Sequence, residues 1–115
     1  MPNFPLLYKT LEYIESHPEE WEQGVWSMKT ECGTKFCFAG WAVMLSQPQA
    51  MLMPTNVNYP MDVRLENGEY RTIPDLAREE LGLANFESDV LFGGGNSLAQ
   101  LREIVEGLDR MYNHD

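Results

Sequence analysis

The chain has 115 residues, 43% of them hydrophobic and 11% aromatic, which is enough to bury the core of one domain and excludes a wholly disordered protein. Its 18 acidic and 8 basic residues give a formal charge of −10. Because a surface of that sign repels a phosphate backbone, the composition argues against direct nucleic-acid binding. It suits solubility, a basic protein partner, or mimicry of a nucleic acid.

We expect residues 1–115 to form a single globular domain in a cytoplasm. The first residues lack the basic leader of a secretory signal, and no stretch has the length and apolarity of a membrane span. The two cysteines are then expected to stay reduced, because a cytoplasm keeps thiols in that state.

The first predicted helix covers residues 5–17, where apolar residues recur at i, i+4 and i+7, and Pro18 ends the pattern. Residues 18–31 have no clean period and are predicted to form an ordered loop that inserts Trp21 and Trp26 into the core. The apolar residues of the helical pattern are Leu7, Leu11 and Ile14.

The stretch CGTKFCFAGWAVM, residues 32–44, leads into the predicted central helix. Thr34 is expected to cap a helix that runs to about Ser46. Residues 36–45 are apolar on every side, and a helix without a polar face is buried all round. We therefore place this helix in the middle of the molecule.

Residues 48–61 are rich in proline and methionine and are predicted to form an irregular connection. Asn67-Gly68 is a favoured two-residue turn, which predicts a β-hairpin over residues 62–72 with one apolar and one charged face. In this register Arg64 faces Arg71 and Glu66 faces Glu69, which are pairs of like charge. Diagonal contacts of Glu66 with Arg71 and of Arg64 with Glu69 would offset their repulsion. The predicted opposite pairs are Leu65 with Tyr70, Val63 with Thr72, Arg64 with Arg71, and Glu66 with Glu69.

Three further helices are predicted in the last third of the chain. The first begins at Pro74 and ends before Gly82, which suits the left-handed position past a helix end. A short helix follows at 85–91, and residues 93–95, all glycine, form a hinge or tight turn. Asn96 or Ser97 then caps a helix over residues 97–112.

The predicted fold class is therefore α+β and mainly helical. Four to five helices surround a buried central helix (about 34–46), and one β-hairpin (about 62–72) completes the fold. A purely helical bundle is the alternative, and the Asn67-Gly68 turn argues against it.

Cys37 raises the hypothesis of thiol chemistry, because the N-terminus of a helix stabilises a thiolate and lowers its pKa. His17 could act as its base, which would give a thiol-dependent enzyme. Cys32 and Cys37 could instead supply one ligand pair to zinc, or form a disulfide. We favour a structural role without cofactor or metal, in which Cys37 is a small buried residue and Cys32 packs behind it.

Several motifs together resemble a family of small, uncharacterised proteins of actinobacteria and their phages. The family pattern is C-G-T-x-x-C-x-A-G-W-A, preceded by a helix that ends in H-P-E-x-W and followed by G-x-Y-x-I-P, L-G-L and L-F-x-G-x-N-(S/T)-L. The chain has one extra residue within the G-x-Y-x-I-P segment. The resemblance implies a phage or actinobacterial cytoplasmic protein and does not imply an enzyme. The matching segments are 16–21, 32–42, 68–74, 81–83 and 91–98.

Our leading hypothesis is a non-enzymatic protein-interaction module, phage-encoded, that binds and modulates a host protein. The alternatives are a thiol-dependent enzyme using Cys37 with His17, and an acidic nucleic-acid mimic that inhibits a DNA-binding or defence protein. A homo-oligomer formed through an exposed apolar patch is a further alternative, whereas membrane contact is not expected. The candidate interaction residues are Trp21, Trp26, Met51, Met53, Tyr59, Glu19, Glu20 and Glu22.

Overall fold

A computed structural model of the chain describes residues 1–53 and 60–113. Five α-helices contain most of these residues and two small antiparallel sheets complete them, so the predicted α+β, mainly helical class is confirmed. The helices are α1 (Phe4–Ser16), α2 (Phe38–Ser46), α3 (Ile73–Leu81), α4 (Asn85–Leu91) and α5 (Leu98–Asn113), with a 3₁₀ turn at Pro18–Glu20. The strands are β1 (Ser27–Thr30), β2 (Gly33–Phe36), β3 (Met51–Leu52), β4 (Asp62–Arg64) and β5 (Tyr70–Thr72).

The central helix α2 starts later than the sequence pattern predicts. Thr34 lies in β2, and the helix begins at Phe38 with Cys37 in the N-cap position, where its Sγ accepts a hydrogen bond from the Gly40 N–H at 3.5 Å. α2 packs against α1 and α3, and all nine of its residues are buried or partly buried, which confirms its place as the buried central helix. Its partly buried residues are Trp41, Met44, Leu45 and Ser46.

Residues 27–36 form a β-hairpin. The sequence pattern instead predicts that they belong partly to the loop at 18–31 and partly to the central helix at about 34–46. The strands pair from Ser27 opposite Phe36 to Thr30 opposite Gly33. Gly33 has φ of +131°, a conformation that disfavours a side chain, and the Thr30 hydroxyl donates to the Gly33 carbonyl at 2.6 Å. Pairing of β2 with β1 is the reason that the helix cannot begin at residue 34.

The predicted hairpin at residues 62–72 is present, but its turn has three residues, 66–68, instead of two. The Leu65 N–H donates to the Glu69 carbonyl at 2.8 Å, so the turn is closed by residues 65 and 69 instead of the predicted 66 and 69. Gly68 has φ of +89° and supplies the left-handed residue that three-residue hairpin loops require.

The longer turn shifts the register by one residue, so the predicted opposite pairs and diagonal contacts are wrong. Val63 is buried and lies opposite Arg71, whose guanidinium reaches α3 and pairs with the Glu79 carboxylate at 2.6 Å. Tyr70 does not face Leu65; it lies opposite Arg64 and is 62% exposed. β3 joins the other edge of β4, so the hairpin belongs to a three-stranded sheet.

The predicted end of α3 at Gly82 and the predicted Ser97 cap of α5 are confirmed, whereas α3 begins at Ile73, one residue before the predicted start at Pro74. The Thr72 hydroxyl accepts from the Asp75 N–H at 3.4 Å at the start of α3, and Gly82 ends that helix with φ of +67°. At the start of α5, Ser97 Oγ accepts from the Gln100 N–H at 3.1 Å, and Gln100 Oε1 accepts from the Ser97 N–H at 2.8 Å.

α1 and α5 lie side by side and are joined by polar contacts at the edge of the core. The Arg102 guanidinium makes two hydrogen bonds to the Glu15 carboxylate, at 2.7 and 2.6 Å. The Tyr8 hydroxyl donates to Asp109 at 2.7 Å. None of the helices within residues 1–53 and 60–113 combines the length and the apolarity that a bilayer span requires.

Candidate interaction groove

Gln23 joins three segments of the chain, two of which line a groove on the surface of the protein. Its side chain is 5% exposed, and its amide nitrogen donates to the carbonyls of Leu91 and Gly93, both at 3.2 Å. Its amide oxygen accepts from the Phe38 N–H at 3.1 Å and from the Trp21 indole at 3.0 Å. One buried amide therefore connects the loop after the 3₁₀ turn, the start of α2 and the end of α4.

The glycines at residues 93–95 form a tight turn, as predicted. The Asn96 N–H donates to the Gly93 carbonyl at 3.2 Å, and a Cβ on Gly94 would lie 3.4 Å from the Gly24 Cα. The turn therefore passes close to the backbone beside Gln23, where a larger side chain would need its neighbour to shift.

Trp26 and Phe92 line the groove that these segments enclose. Their rings meet edge to face, with centroids 6.0 Å apart and planes at 89°. Two adjoining cavities, of about 300 and 480 Å³, share both rings, and we call them together the tryptophan groove. It is lined by Gln23, Gly24, Val25, Trp26, Phe92 and Gly94 on one side and by Pro74, Asp75, Arg78, Asn85, Ser88 and Asp89 on the other.

Trp26 differs from the other two tryptophans in its polar contacts. The Trp21 indole donates to Gln23 Oε1 at 3.0 Å, and the Trp41 indole donates to the Glu20 carbonyl at 2.9 Å. Over residues 1–53 and 60–113, the Trp26 indole donates to no protein acceptor, and its side chain is only partly buried. The groove thus presents an aromatic face together with an N–H that a bound molecule can use.

Charged groups of both signs border the tryptophan groove on the α3 and α4 side. Asp75 and Asp89 are exposed, and Arg78 lies 3.7 Å from Asp75 as a loose surface pair. A site of this composition suits a segment with an apolar or aromatic side chain flanked by polar or charged groups.

The structure does not bring Cys37 and His17 together through any hydrogen bond of the described residues. Cys37 is 1% exposed, and burial raises the pKa of its thiol to about 11, so the predicted lowering of this pKa at a helix N-terminus is wrong. His17 stacks on Tyr13 with ring centroids 4.2 Å apart, and its Nδ1 lies 2.9 Å from the Tyr13 carbonyl. Burial of Cys37 as a small core residue is confirmed.

Cys32 does not pack behind Cys37, because it is exposed near the tip of the β1–β2 hairpin. Both thiols are free. Cys32 lines a separate open cavity of about 690 Å³ together with Glu19 and Glu20. Within the part of the chain that the structure describes, no three His, Cys, Asp or Glu side chains converge as a metal site would require.

Of the other predicted interaction residues, those that the structure describes do not line the tryptophan groove. Met51 is 68% exposed on β3, Met53 follows that strand, and Tyr59 lies outside the described residues. Glu20 accepts from the Tyr13 hydroxyl at 2.7 Å, and burial together with this bond raises the pKa of Tyr13 to about 12. Glu22 Oε2 accepts weakly from the Gly24 N–H at 3.4 Å.

Gln23 and Phe92 are not among the interaction residues that the sequence predicts. No local pattern marks Gln23, since three of its four partners, Phe38, Leu91 and Gly93, come from distant parts of the chain. The glycine-rich turn next to Phe92 was the one available signal for a close backbone approach in this region.

Comparison of the chain with known proteins found no matching family model, curated protein or solved structure. The resemblance to the actinobacterial and phage family therefore stays a prediction.

Proposed function

We propose that this chain is a non-enzymatic protein-interaction module, phage-encoded and acting in the cytoplasm of an actinobacterial host, which binds a host protein through the tryptophan groove. The motif resemblance supports the phage and host assignment. The charge of −10 supports a partner whose contact surface is basic, because opposite potentials speed and orient association.

The observation that carries this proposal is the state of Trp26. Its ring is partly open to solvent beside Phe92, and its indole N–H is the one of the three that donates to no protein acceptor among the described residues. Tryptophan in a groove of this kind supplies large contact area and a directed hydrogen bond, which is why it is frequent among residues that dominate binding energy.

The walls of the groove are held in place before any partner arrives. Gln23 fixes the loop that carries Trp26 to the start of α2 and to the end of α4 through three hydrogen bonds, and it accepts a fourth from Trp21 of the same loop. A preformed site loses little side-chain and loop entropy on binding, so more of the contact energy remains as affinity. Asp75 and Asp89 at its border are placed to meet Lys or Arg of a partner.

Two features of the described residues favour binding over catalysis. The Cys37 thiol is buried and protonated at neutral pH, whereas nucleophilic attack requires an accessible thiolate. The Ser88 hydroxyl, which lines the groove, donates to the Asn85 carbonyl at 2.9 Å and so has a structural partner instead of a general base.

The test is affinity capture from actinobacterial host lysate, with quantitative comparison of variants. We expect a host protein that is retained by the wild type and lost, by about fivefold or more, on Asp89→Arg and on Trp26→Ala. Glu12→Arg is the matched control, since it makes the same charge change at an exposed position on α1. Equal retention by all four proteins, or repeated failure to retain any protein, would contradict the proposal.

A further inference from the structure

α4 and α5 carry exposed apolar side chains that do not line the tryptophan groove. Phe86 and Val90 are 65% and 55% exposed and lie one turn apart on α4. Met111 is 58% exposed on α5, and Ile104, two turns earlier, is partly buried. We call this set, together with Gly107, the α4–α5 face.

The polar contacts of α5 show on which side of the helix this face lies. Arg102 and Asp109 point towards α1, where they bond Glu15 and Tyr8. At about 100° per residue, Ile104 and Met111 lie on the opposite flank of α5. The Tyr112 hydroxyl donates to Glu87 of α4 at 2.6 Å, so the last turn of α5 lies beside α4.

Gly107 lies in the middle of α5, and few atoms of the described residues lie close to its Cα. A Cβ at this position would meet only the end of the Arg110 side chain, at 3.8 Å. The helix backbone is therefore open to close approach by another helix at this point. Glycine also makes a helix interior less stable than alanine does, so helix propensity does not explain why residue 107 is glycine.

The charged residues on either side of Gly107 are arranged so that two copies of α5, related by a two-fold axis, bring opposite charges together. Glu103 and Arg110 are exposed on the outer side of α5, and neither forms an ion pair with the residues that the structure describes. They are two helical turns apart, on either side of Gly107. If a second α5 crosses antiparallel at Gly107, Glu103 of each copy approaches Arg110 of the other, and Ile104 approaches Met111 in the same way.

We propose that the α4–α5 face binds a second copy of this chain, in an antiparallel homodimer whose two α5 helices cross at Gly107. A two-fold axis at that residue produces two Glu103–Arg110 pairs and buries the apolar side chains of both copies between them. The charge of −10 on each copy opposes association, so the dimer is weak and depends on concentration. The tryptophan groove stays free in it, because Asn85, Ser88 and Phe92 face the other way.

The test is sedimentation equilibrium over a range of concentrations, with charge reversal and its rescue. We expect wild-type dimerisation, a loss of roughly fivefold or more in affinity on Glu103→Arg or Arg110→Glu, and recovery in the double variant. Circular dichroism checks that each variant is folded.

Glu12→Arg is again the control, because it lowers the net negative charge as Glu103→Arg does but lies on the exposed side of α1. It should leave the dimer unchanged or slightly stronger, since long-range repulsion falls. A wild-type chain that stays monomeric at the highest concentration, or charge reversals that fail to weaken the dimer or to rescue one another, would overturn the proposal. Neither result depends on whether the groove binds a host protein.

Discussion

The side-chain oxygen of Gln23 accepts a hydrogen bond from the backbone N–H of Phe38 at 3.1 Å, which links the first turn of the central helix to the loop that carries Trp26. Gln23→Leu would leave the Phe38 N–H and the Trp21 indole without this acceptor. Because unpaired buried donors lose their hydration without compensation, we expect a fall of roughly 2–4 kcal/mol in the free energy of unfolding.

Urea unfolding followed by tryptophan fluorescence measures this change. Gln49→Leu, at an exposed position, is the matched control and should stay within about 0.5 kcal/mol of the wild type. If Gln23→Leu is as stable as Gln49→Leu, Gln23 does not hold the walls of the groove.

Gly40 is predicted to tolerate no side chain, although alanine is usually the better residue in a helix. A Cβ there would lie 2.7 Å from the Trp26 carbonyl oxygen and 2.7 Å from Phe36 Cδ1. We expect Gly40→Ala to lower the free energy of unfolding by about 1–3 kcal/mol, because an overpacked core must shift its backbone.

The control for Gly40 is Gly107→Ala in the open middle of α5, measured at a concentration where the chain is monomeric. It should raise the free energy of unfolding by about 0.5–1 kcal/mol through helix propensity. Thermal melts of the two variants should therefore move in opposite directions, and a stabilising Gly40→Ala would show that α2 does not approach β2 as closely as described.

The two cysteines should react very differently with iodoacetamide in the folded protein. Cys32 is exposed and should be labelled, whereas Cys37 is buried, with its pKa raised to about 11 by that burial, and should be labelled only after unfolding. Mass spectrometry of Cys32→Ser at neutral pH should detect no modified thiol. Fast labelling of Cys32→Ser would instead support the hypothesis that the Cys37 thiol is reactive.

The raised pKa of Cys37 also gives stability a dependence on alkaline pH. The folded state keeps the thiol neutral, while the unfolded state ionises near the ordinary value of 9.0, so stability falls as pH rises from there towards about 11. Cys37→Ser removes this titration, and its unfolding free energy should fall less over the same range. If the free energy of unfolding falls equally with pH in the wild type and in Cys37→Ser, the loss of stability does not come from Cys37.

The contact of Arg102 with Glu15 should be visible in an acid titration. The guanidinium lowers the pKa of the Glu15 carboxyl, so its stabilisation is present above the ordinary glutamate pKa and is lost as pH falls through the lowered value. In Arg102→Gln the Glu15 pKa, followed by NMR, should rise towards its ordinary range. Arg64→Gln, at an exposed position on β4, should leave it unchanged, and an equal pKa in wild type and Arg102→Gln would refute the pairing.

The sequence was sufficient for the helices whose ends carry local signals. Gly82 adopts the left-handed conformation that its position predicted, and Ser97 caps α5 through contacts within one turn. The β1–β2 hairpin was missed because only its Ser27–Phe36 end is buried, so the strands carry no strong apolar alternation.

The strand register of the 62–72 hairpin and the tryptophan groove could not be predicted from local sequence, because both depend on contacts between distant residues. Asn67-Gly68 fits a two-residue or a three-residue turn, and burial of Val63 together with the contact of Arg71 with Glu79 accompanies the longer one. Trp26 was a candidate from the sequence, but its free indole N–H and its contact with Phe92 depend on how loop, α3 and α4 come together. Pairings across such distances cannot be read from neighbouring residues.

The indole N–H signals of the three tryptophans test the binding role of the tryptophan groove most directly. Trp21 and Trp41 donate within the protein and serve as internal references for Trp26. In ¹⁵N-labelled protein titrated with the purified host protein recovered by capture, we predict that the Trp26 signal shifts or broadens while the other two stay in place. A partner that binds with the Trp26 signal unmoved would contradict the account.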